Sequence, residues 1–181
     1  LEPLDISAVF LSLDTTPANT ARPYDDLSKY GGGFGNLIDA APYSFEYYIS
    51  GQGRIRWACC GIISIPDNIV RWAYELYSSN GGAISNASRA ILLDSLSDGT
   101  VSFQGSKQQY GYFIAKRTFR LPGSTDVTAY GHPGGGGGYS SLLRYSPELD
   151  LAVSVLANSP LSFRGACGEY DPRSCIAVAI F

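Results

Sequence analysis

The sequence predicts an α/β domain of the α+β type, in which an antiparallel sheet carries flanking helices. Apolar residues at helical spacing predict two packing helices within residues 57–98. Aromatic and β-branched segments separated by short turns predict strands within residues 108–181. Because short turns join antiparallel neighbours, these strands should form a meander.

The first 56 residues predict an irregular segment that lies beside a cleft. Four prolines and the glycines between residues 31 and 35 interrupt any long periodic element. Ala8–Leu13 can pair as a strand, whereas the tyrosine-rich Tyr43–Ile49 fits either a strand or a cleft lining. We therefore expect residues 1–181 to form one partial domain.

The first helix is predicted to begin around Pro66, which has no N–H to lose at an early helical position. Ser64 or Asp67 could accept first-turn amide hydrogens. A left-handed residue within Asn80–Gly82 should end the helix. The apolar residues of this helix are Ile69, Trp72, Ala73 and Leu76.

The second helix is predicted to begin at Ser85 or Asn86, inside a possible glycosylation sequon formed by Asn86, Ala87 and Ser88. We interpret both helices as packing elements. The apolar residues of the second helix are Ala90, Ile91, Leu92 and Leu96.

Four segments predict the strands of the meander. The last of them is apolar on both faces, so it should be central or covered by helices. The tail from Ser174 to Phe181 is expected to begin a helix that lies across the sheet. The four strand segments are Tyr110–Phe119, with a turn at Leu121–Ser124 after it, Val127–His132, Tyr139–Tyr145 and Leu151–Leu156.

Composition and missing motifs exclude several classes of function. The net charge is −3 and the basic residues are scattered, so nucleic acid is not an expected partner. The apolar stretches are shorter than the roughly 20 residues that span a membrane. One histidine and dispersed cysteines give no metal-ligand spacing, and no phosphate-loop or dinucleotide fingerprint occurs. We predict neither a metal nor a cofactor.

The cysteines and the absence of methionine favour a processed, secreted or extracellular protein. Cys167 and Cys175 flank a turn-rich loop and could close a small disulfide hairpin. Cys59 and Cys60 are adjacent, so a bond between them would be strained and either could be a buried thiol.

The run Gly131–Ser141 holds the only histidine of the chain, His132, at the entrance to five consecutive glycines. Glycine lets a backbone approach another group closely, at an entropic cost on folding. By itself this run fits either a site or a low-complexity loop.

Four segments, in order and at suitable spacing, resemble the serine β-lactamase-like family, which includes class C β-lactamases, related esterases and DD-peptidases. The resemblance covers roughly residues 55–160 and implies the C-terminal part of a β-lactamase/transpeptidase-like domain. The segments are Ala58–Trp72, Tyr110–Tyr112, Gly131–Ser141 and the strand Val153–Ser159 preceded by Tyr145–Pro147.

The resemblance implies that the glycine run is a strand edge lining an active-site cleft. His132 would hydrogen-bond within the catalytic network or meet the polar end of the substrate, and the N–H of Gly135 would donate to an oxyanion. Tyr130, Pro133 and Gly134 would contact a small-molecule or peptide substrate. Because Pro133 stands where the family carries a hydroxyl residue, the resemblance favours an ester or peptide over a β-lactam.

The family's Ser-x-x-Lys nucleophile pair does not occur in the chain, since no lysine follows a serine by three positions. We therefore expect a serine hydrolase working through an acyl-enzyme, with nucleophile and tyrosine base supplied by a missing N-terminal part or companion polypeptide. The chain alone should be inactive. The alternative is a non-catalytic extracellular structural or carbohydrate-binding protein that keeps the scaffold.

Overall fold

The computed structural model describes residues 2–10, 18–25, 38–39, 62–96, 100–103, 106–120, 126–136, 138–159 and 172–181. A 3₁₀ turn, Glu2–Leu4, precedes the other elements. These are, in chain order, β1 (Val9–Phe10), β2 (Tyr24–Asp25), β3 (Ile38–Asp39), β4 (Ile62–Ile63), α1 (Pro66–Tyr77), α2 (Asn86–Asp94), β5 (Thr100–Phe103), β6 (Ser106–Tyr110), β7 (Ala115–Arg120), β8 (Asp126–Gly136), β9 (Tyr139–Ser146), β10 (Leu151–Ala157) and α3 (Pro172–Ile180).

Within the described residues, the main sheet has six strands, and each pairs antiparallel with the next one in the chain, from β5 to β10. The predicted meander is therefore confirmed. It is larger than predicted, because the sheet already begins at Thr100. Two short pairs, β1 with β4 and β2 with β3, lie outside the main sheet.

The prediction of one strand over Tyr110–Phe119 was wrong, because a tight turn divides the segment into β6 and β7. The N–H of Gly111 donates to the carbonyl of Ile114 at 2.9 Å. Phe113 turns the chain with a φ of 55°, a conformation that aromatic residues rarely adopt. The predicted turn at Leu121–Ser124 lies outside the described residues.

The helices cover both faces of the sheet. On one face, Ala73 and Tyr77 of α1 form a buried cluster with Ile114 and Tyr145. On the other face, Ala177 of α3 packs against Leu142 and Val153. Burying such apolar surface contributes about 25 cal/mol per Å².

Among the described strands, β10 lies at the edge of the main sheet rather than at its centre, and helices cover it, which is the second of the two placements predicted for it. Helix α3 begins at Pro172, slightly earlier than predicted. It packs against the buried Val153, and the partly buried Leu151 lies beside the same cluster.

Helix α1 has Pro66 in its first turn as predicted, but neither predicted cap operates. The residue before the helix is Ile65, and no side chain caps this end. The hydroxyl of Ser64 instead donates to the carbonyl of Ser7 at 2.9 Å, next to Asn68, whose amide donates to the same carbonyl at 2.7 Å. The start of α1 is thus hydrogen-bonded to the segment that precedes β1. Strand β1 itself lies within the predicted Ala8–Leu13 strand.

The end of α1 also differs from the prediction of a left-handed cap at Asn80–Gly82. Ser78 ends the helix in an extended conformation. The buried Arg89 of α2 supplies donors there: its Nε lies 3.0 Å from the carbonyl of Leu76, and its Nη2 lies 2.7 Å from that of Gly81. A buried guanidinium thus satisfies carbonyls that a helix end leaves without a partner.

Helix α2 begins as predicted, because the hydroxyl of Ser85 accepts the N–H of Ser88 at 3.1 Å. Its predicted apolar face was partly wrong. Ala90 and Ile91 are exposed, while Leu92 packs against the core, and Leu96 lies beyond the helix end.

The turn between β9 and β10 is held by Asp150, which has a φ of 46°. Its carboxylate accepts hydroxyl hydrogen bonds from Tyr145 at 2.8 Å, Tyr74 at 3.1 Å and Ser78 at 3.2 Å. These bonds, that of Tyr145 foremost, lower the pKa of Asp150 below its ordinary value. The cluster joins α1 to the sheet.

Candidate active site

The candidate site is the second half of β8, where the glycine run begins. β8 has 11 residues and β7 has six. The pairing of β8 with β7 ends at Gly131, opposite Ala115. From His132 to Gly136, β8 pairs with β9 alone among the described strands. This part of the strand therefore has one edge that carries no described strand.

Arg173 shows which way the backbone groups point on this part of β8. Its Nη1 contacts the carbonyls of Gly134 at 2.7 Å and Ser141 at 3.0 Å, and these two residues are direct partners in β8 and β9. Both carbonyls therefore point into the space between the two strands. Because backbone groups alternate along a strand, the N–H and C=O of Gly135 point to the opposite edge.

Gly135 is exposed, and a Cβ built on it would come no closer than 3.7 Å to the rest of the described structure, at the carbonyl of Tyr139. Its backbone N–H points to the edge of β8 that carries no described strand. An N–H in this position can donate to a developing oxyanion without breaking the ladder.

His132 is half-buried on the face of the sheet that carries α1, since it pairs with Leu143 of the α1 cluster. Its Nε2 lies 2.8 Å from the hydroxyl of Tyr110, and the two rings meet edge to face with centroids 5.6 Å apart. Its Nδ1 contacts the carbonyl of Pro133. Both ring nitrogens therefore have a partner within the chain.

The pKa of His132 is lowered from its ordinary value of 6.5. Burial is the largest cause, the hydrogen bond to the Pro133 carbonyl opposes it, and the positive charge of Arg144 adds to the lowering. The imidazole is thus neutral at neutral pH.

The other predicted site residues do not all meet at one point. Tyr130 packs partly buried against the α1 cluster, and burial, assisted by the charge of Glu148, raises its pKa. Pro133 is buried, and alternation along β8 directs its ring to the face opposite His132. Gly134 has no room for a side chain, because a Cβ there would lie 2.3 Å from the hydroxyl oxygen of Ser141.

The comparison with known protein families decides the identity of this scaffold. The family model described as Beta-lactamase matches residues 8–172. The chain belongs to the Beta-lactamase family. Its resemblance to serine β-lactamase-like proteins is confirmed, and so is the predicted α/β fold. No curated protein matches the chain.

Among solved structures, this Beta-lactamase family chain is similar to the crystal structure of SurE. The identity is 20%, the TM-score is 0.50, and the match covers 87% of this chain and 34% of that one. At this identity the likeness shows the fold alone. The chain thus spans about a third of the length of the solved structure that it matches.

Two residues beside the site were not predicted from the sequence. The sequence predicts Tyr110 as part of a strand and of a family-like segment, Tyr110–Tyr112, but not as a partner of His132. Arg173 was placed in the loop between Cys167 and Cys175, whereas it lies in the first turn of α3. No local pattern signals either contact, because each joins residues that are far apart in the chain.

A further segment lies against the hairpin that joins β8 and β9 and against the end of β10. The hydroxyl of Tyr139 donates to the carbonyl of Ala21 at 2.7 Å, and the N–H of Tyr24 donates to that of Asn158 at 2.7 Å. Gly138 has a φ of 84°, and a Cβ there would lie 2.8 Å from Pro23. The described part of the N-terminal region therefore borders the site, whereas Tyr43–Ile49 lies outside the described residues.

Over the described ranges, no group of three or more histidine, cysteine, aspartate or glutamate residues could hold a metal ion. In the same ranges, no helix is long and apolar enough to cross a membrane. Cys175 of α3 is disulfide-bonded. Cys167 lies outside the described residues, so the pairing of these two cysteines stays a prediction.

Proposed function

We propose that this Beta-lactamase family chain supplies the substrate-binding strand of a serine hydrolase that works through an acyl-enzyme. The bond cleaved is an ester, amide or peptide bond. The observation that carries the proposal is the one-sided half of β8, where the N–H of Gly135 points to an edge without a described strand. A carbonyl lying along this edge would place its oxygen on that N–H.

The exposed glycine backbone supports a substrate that lies close to the strand. Gly135 presents both an N–H and a C=O at the same edge, so an extended peptide or an acyl chain could bind there as an added strand does. One oxyanion donor of this kind contributes about 2.7–4 kcal/mol to acyl transfer. His132 stands at the start of this edge and would act in proton transfer or in positioning.

The nucleophile and the general base of the proposed enzyme lie outside residues 1–181. A serine followed three residues later by a lysine does not occur in this sequence. We therefore propose that another segment of the protein, or a companion polypeptide, brings the nucleophile to the edge of β8.

The test compares two forms of the protein with a fluorophosphonate probe, which labels activated serines. The longest polypeptide that the gene encodes, with any companion that copurifies, should be labelled outside residues 1–181. The 181-residue chain alone should remain unlabelled. Labelling of a serine within the chain would contradict the proposed division. No labelling of either form would favour the non-catalytic structural or carbohydrate-binding alternative.

The role of the Gly135 N–H can be tested in the labelled form with two matched variants. Gly135→Pro removes the N–H without removing a ladder hydrogen bond, so acylation should slow by about 10²–10³-fold. Gly135→Ala keeps the N–H and fits the open space, so it should change acylation little. Equal rates for both variants would exclude this N–H as an oxyanion donor.

His132→Ala should also slow acylation while leaving the fold intact. General acid–base groups typically contribute 10²–10⁴-fold to rate. An unchanged acylation rate would remove His132 from the mechanism.

We also propose that the protein works in an oxidising, extracellular compartment. The disulfide bond of Cys175 supports this, because disulfides persist mainly outside the reducing cytosol. Fractionation of the source cells with an antibody against the chain tests it: recovery mainly from the cytosol would contradict the proposal.

A further inference from the structure

Tyr110 and His132 form a pair that lies beside the open edge of β8, and its geometry defines the state of the imidazole. A backbone carbonyl can only accept, so the contact of Nδ1 with the Pro133 carbonyl places a proton on Nδ1. The Tyr110 hydroxyl lies 2.8 Å from Nε2 and is the hydrogen-bond partner of that nitrogen.

Two protonation states of His132 would satisfy these contacts. In the neutral state, Nε2 accepts the hydrogen of Tyr110; in the charged state, Nε2 would donate to the Tyr110 oxygen. Half-burial and the nearby positive charge of Arg144 disfavour the charged imidazolium. The neutral state is therefore the one the surroundings select.

We propose that Tyr110 is a positioning residue that holds His132 as a neutral imidazole with its proton on Nδ1, so that the site receives an uncharged ester or amide. A substrate whose acyl group carries a carboxylate would find no cation at this histidine. The part concerning the substrate rests on the acyl-transfer function proposed above, whereas the part concerning the imidazole does not.

The charged groups beside the pair include Arg144, Lys116 and, near Tyr130, Glu148. Arg144 of β9 acts on His132 through its charge, from the neighbouring strand. Lys116 of β7 pairs with Tyr130, two positions before His132 along β8. Lys116 is a cation beside β8 that could receive a carboxylate, and the second experiment includes its variant for that reason.

The first experiment uses long-range ¹H–¹⁵N spectra of the imidazole, which are unambiguous because the chain has one histidine. We expect a protonated Nδ1 and an unprotonated, hydrogen-bonded Nε2 at neutral pH, with a titration midpoint below 6.5. Tyr110→Phe should shift the Nε2 resonance to that of a nitrogen without a donor. Tyr112→Phe, in the exposed turn two residues away, should leave it unchanged.

A doubly protonated ring at neutral pH, or a proton on Nε2 alone, would overturn the proposal. So would a Tyr110→Phe spectrum identical to that of the native chain. Native circular dichroism of both tyrosine variants shows that the fold is kept, so that loss of the Nε2 signature in Tyr110→Phe reports the missing hydroxyl.

The second experiment uses the form labelled by fluorophosphonate and two esters of similar size, p-nitrophenyl butyrate and mono-p-nitrophenyl succinate. We expect at least tenfold higher kcat/KM for the uncharged butyrate. A preference for the succinate that disappears in Lys116→Ala would overturn the substrate class. If neither ester is cleaved while the spectra show the neutral ring, the acyl-transfer function fails and the assignment of His132 and Tyr110 stands.

Discussion

The two halves of β8 are paired in opposite ways, and their contrast shows what makes a strand edge a site. Residues 126–129 pair with β7 alone, and residues 132–136 pair with β9 alone. One-sided pairing is therefore common to both halves. The first half carries the buried side chains of Val127 and Ala129, whereas the second half includes Gly135, which is exposed and has no side chain. An unpaired edge is accessible only where side chains leave it uncovered.

The largest expected effect lies at the junction of the two halves, at Gly131. Gly131 has a φ of 146°, and a Cβ there would lie 2.0 Å from the carbonyl oxygen of Leu143. We expect Gly131→Ala to lower the free energy of unfolding by roughly 3 kcal/mol, since the strand pair must move apart. Urea unfolding measures this loss.

The matched control for this prediction is Gly135→Ala in the open half, which should cost less than about 1 kcal/mol. Equal losses in the two variants would remove the contrast between the junction and the open half. It would also show that the space around Gly135 is filled.

A smaller effect is expected at Asp150, which supports the half of the sheet that faces α1. Because folding lowers the pKa of Asp150, its carboxylate stabilises the fold above its ordinary value of 3.8, and this stabilisation is lost as pH falls through the lowered value. Asp150→Asn should therefore be less stable than the native chain at neutral pH.

The difference between Asp150→Asn and the native chain should shrink as the pH falls below 3.8. Urea unfolding at several pH values measures it, with Asp94→Asn, an exposed aspartate of α2, as the control. A difference that stays constant with pH would show that the carboxylate charge has no part in the cluster.

The smallest effect is expected from Arg173→Ala, and it should be confined to the second half of β8. Its guanidinium bridges the carbonyls of Gly134 and Ser141, so its removal should loosen the hairpin around the candidate site. Amide hydrogen exchange should become faster at Gly134 and Gly136, whose N–H groups point to β9, and stay unchanged at Val127–Ala129.

Arg173→Lys should lie between Arg173→Ala and the native chain, because an ammonium replaces the planar fork as a point charge. Uniformly faster exchange over all of β8 would contradict a local role for Arg173. Unchanged exchange everywhere would show that the β8–β9 pairing holds the glycines by itself.

Much of the fold follows from local patterns in the sequence. Ser85 begins α2 through its side chain, and Pro66 stands in the first turn of α1, because capping and the missing N–H act within a few residues. The alternating and apolar segments that predicted β9 and β10 are confirmed nearly to the residue. The resemblance to the Beta-lactamase family, carried largely by such segments, is confirmed as well.

Other features depend on contacts that no local pattern contains. The division into β6 and β7 follows from a strained φ at Phe113, and the end of α1 from Arg89, a residue of the next helix. Both were predicted wrongly, because a segment's own propensity does not include the groups that pack against it.

The sequence by itself determined that one histidine stands at the start of a glycine run, among segments whose order resembles that of the Beta-lactamase family. Only the tertiary structure decided that Gly134–Gly136 form strand, because glycine has no intrinsic preference and its extended state comes from pairing with Tyr139–Ser141. The tertiary structure also decided which tyrosine contacts His132, because Tyr110 is the last residue of β6, which lies two strands away from β8 in the sheet. The residue types of the candidate site can be seen in the sequence, whereas their arrangement in space depends on strand register.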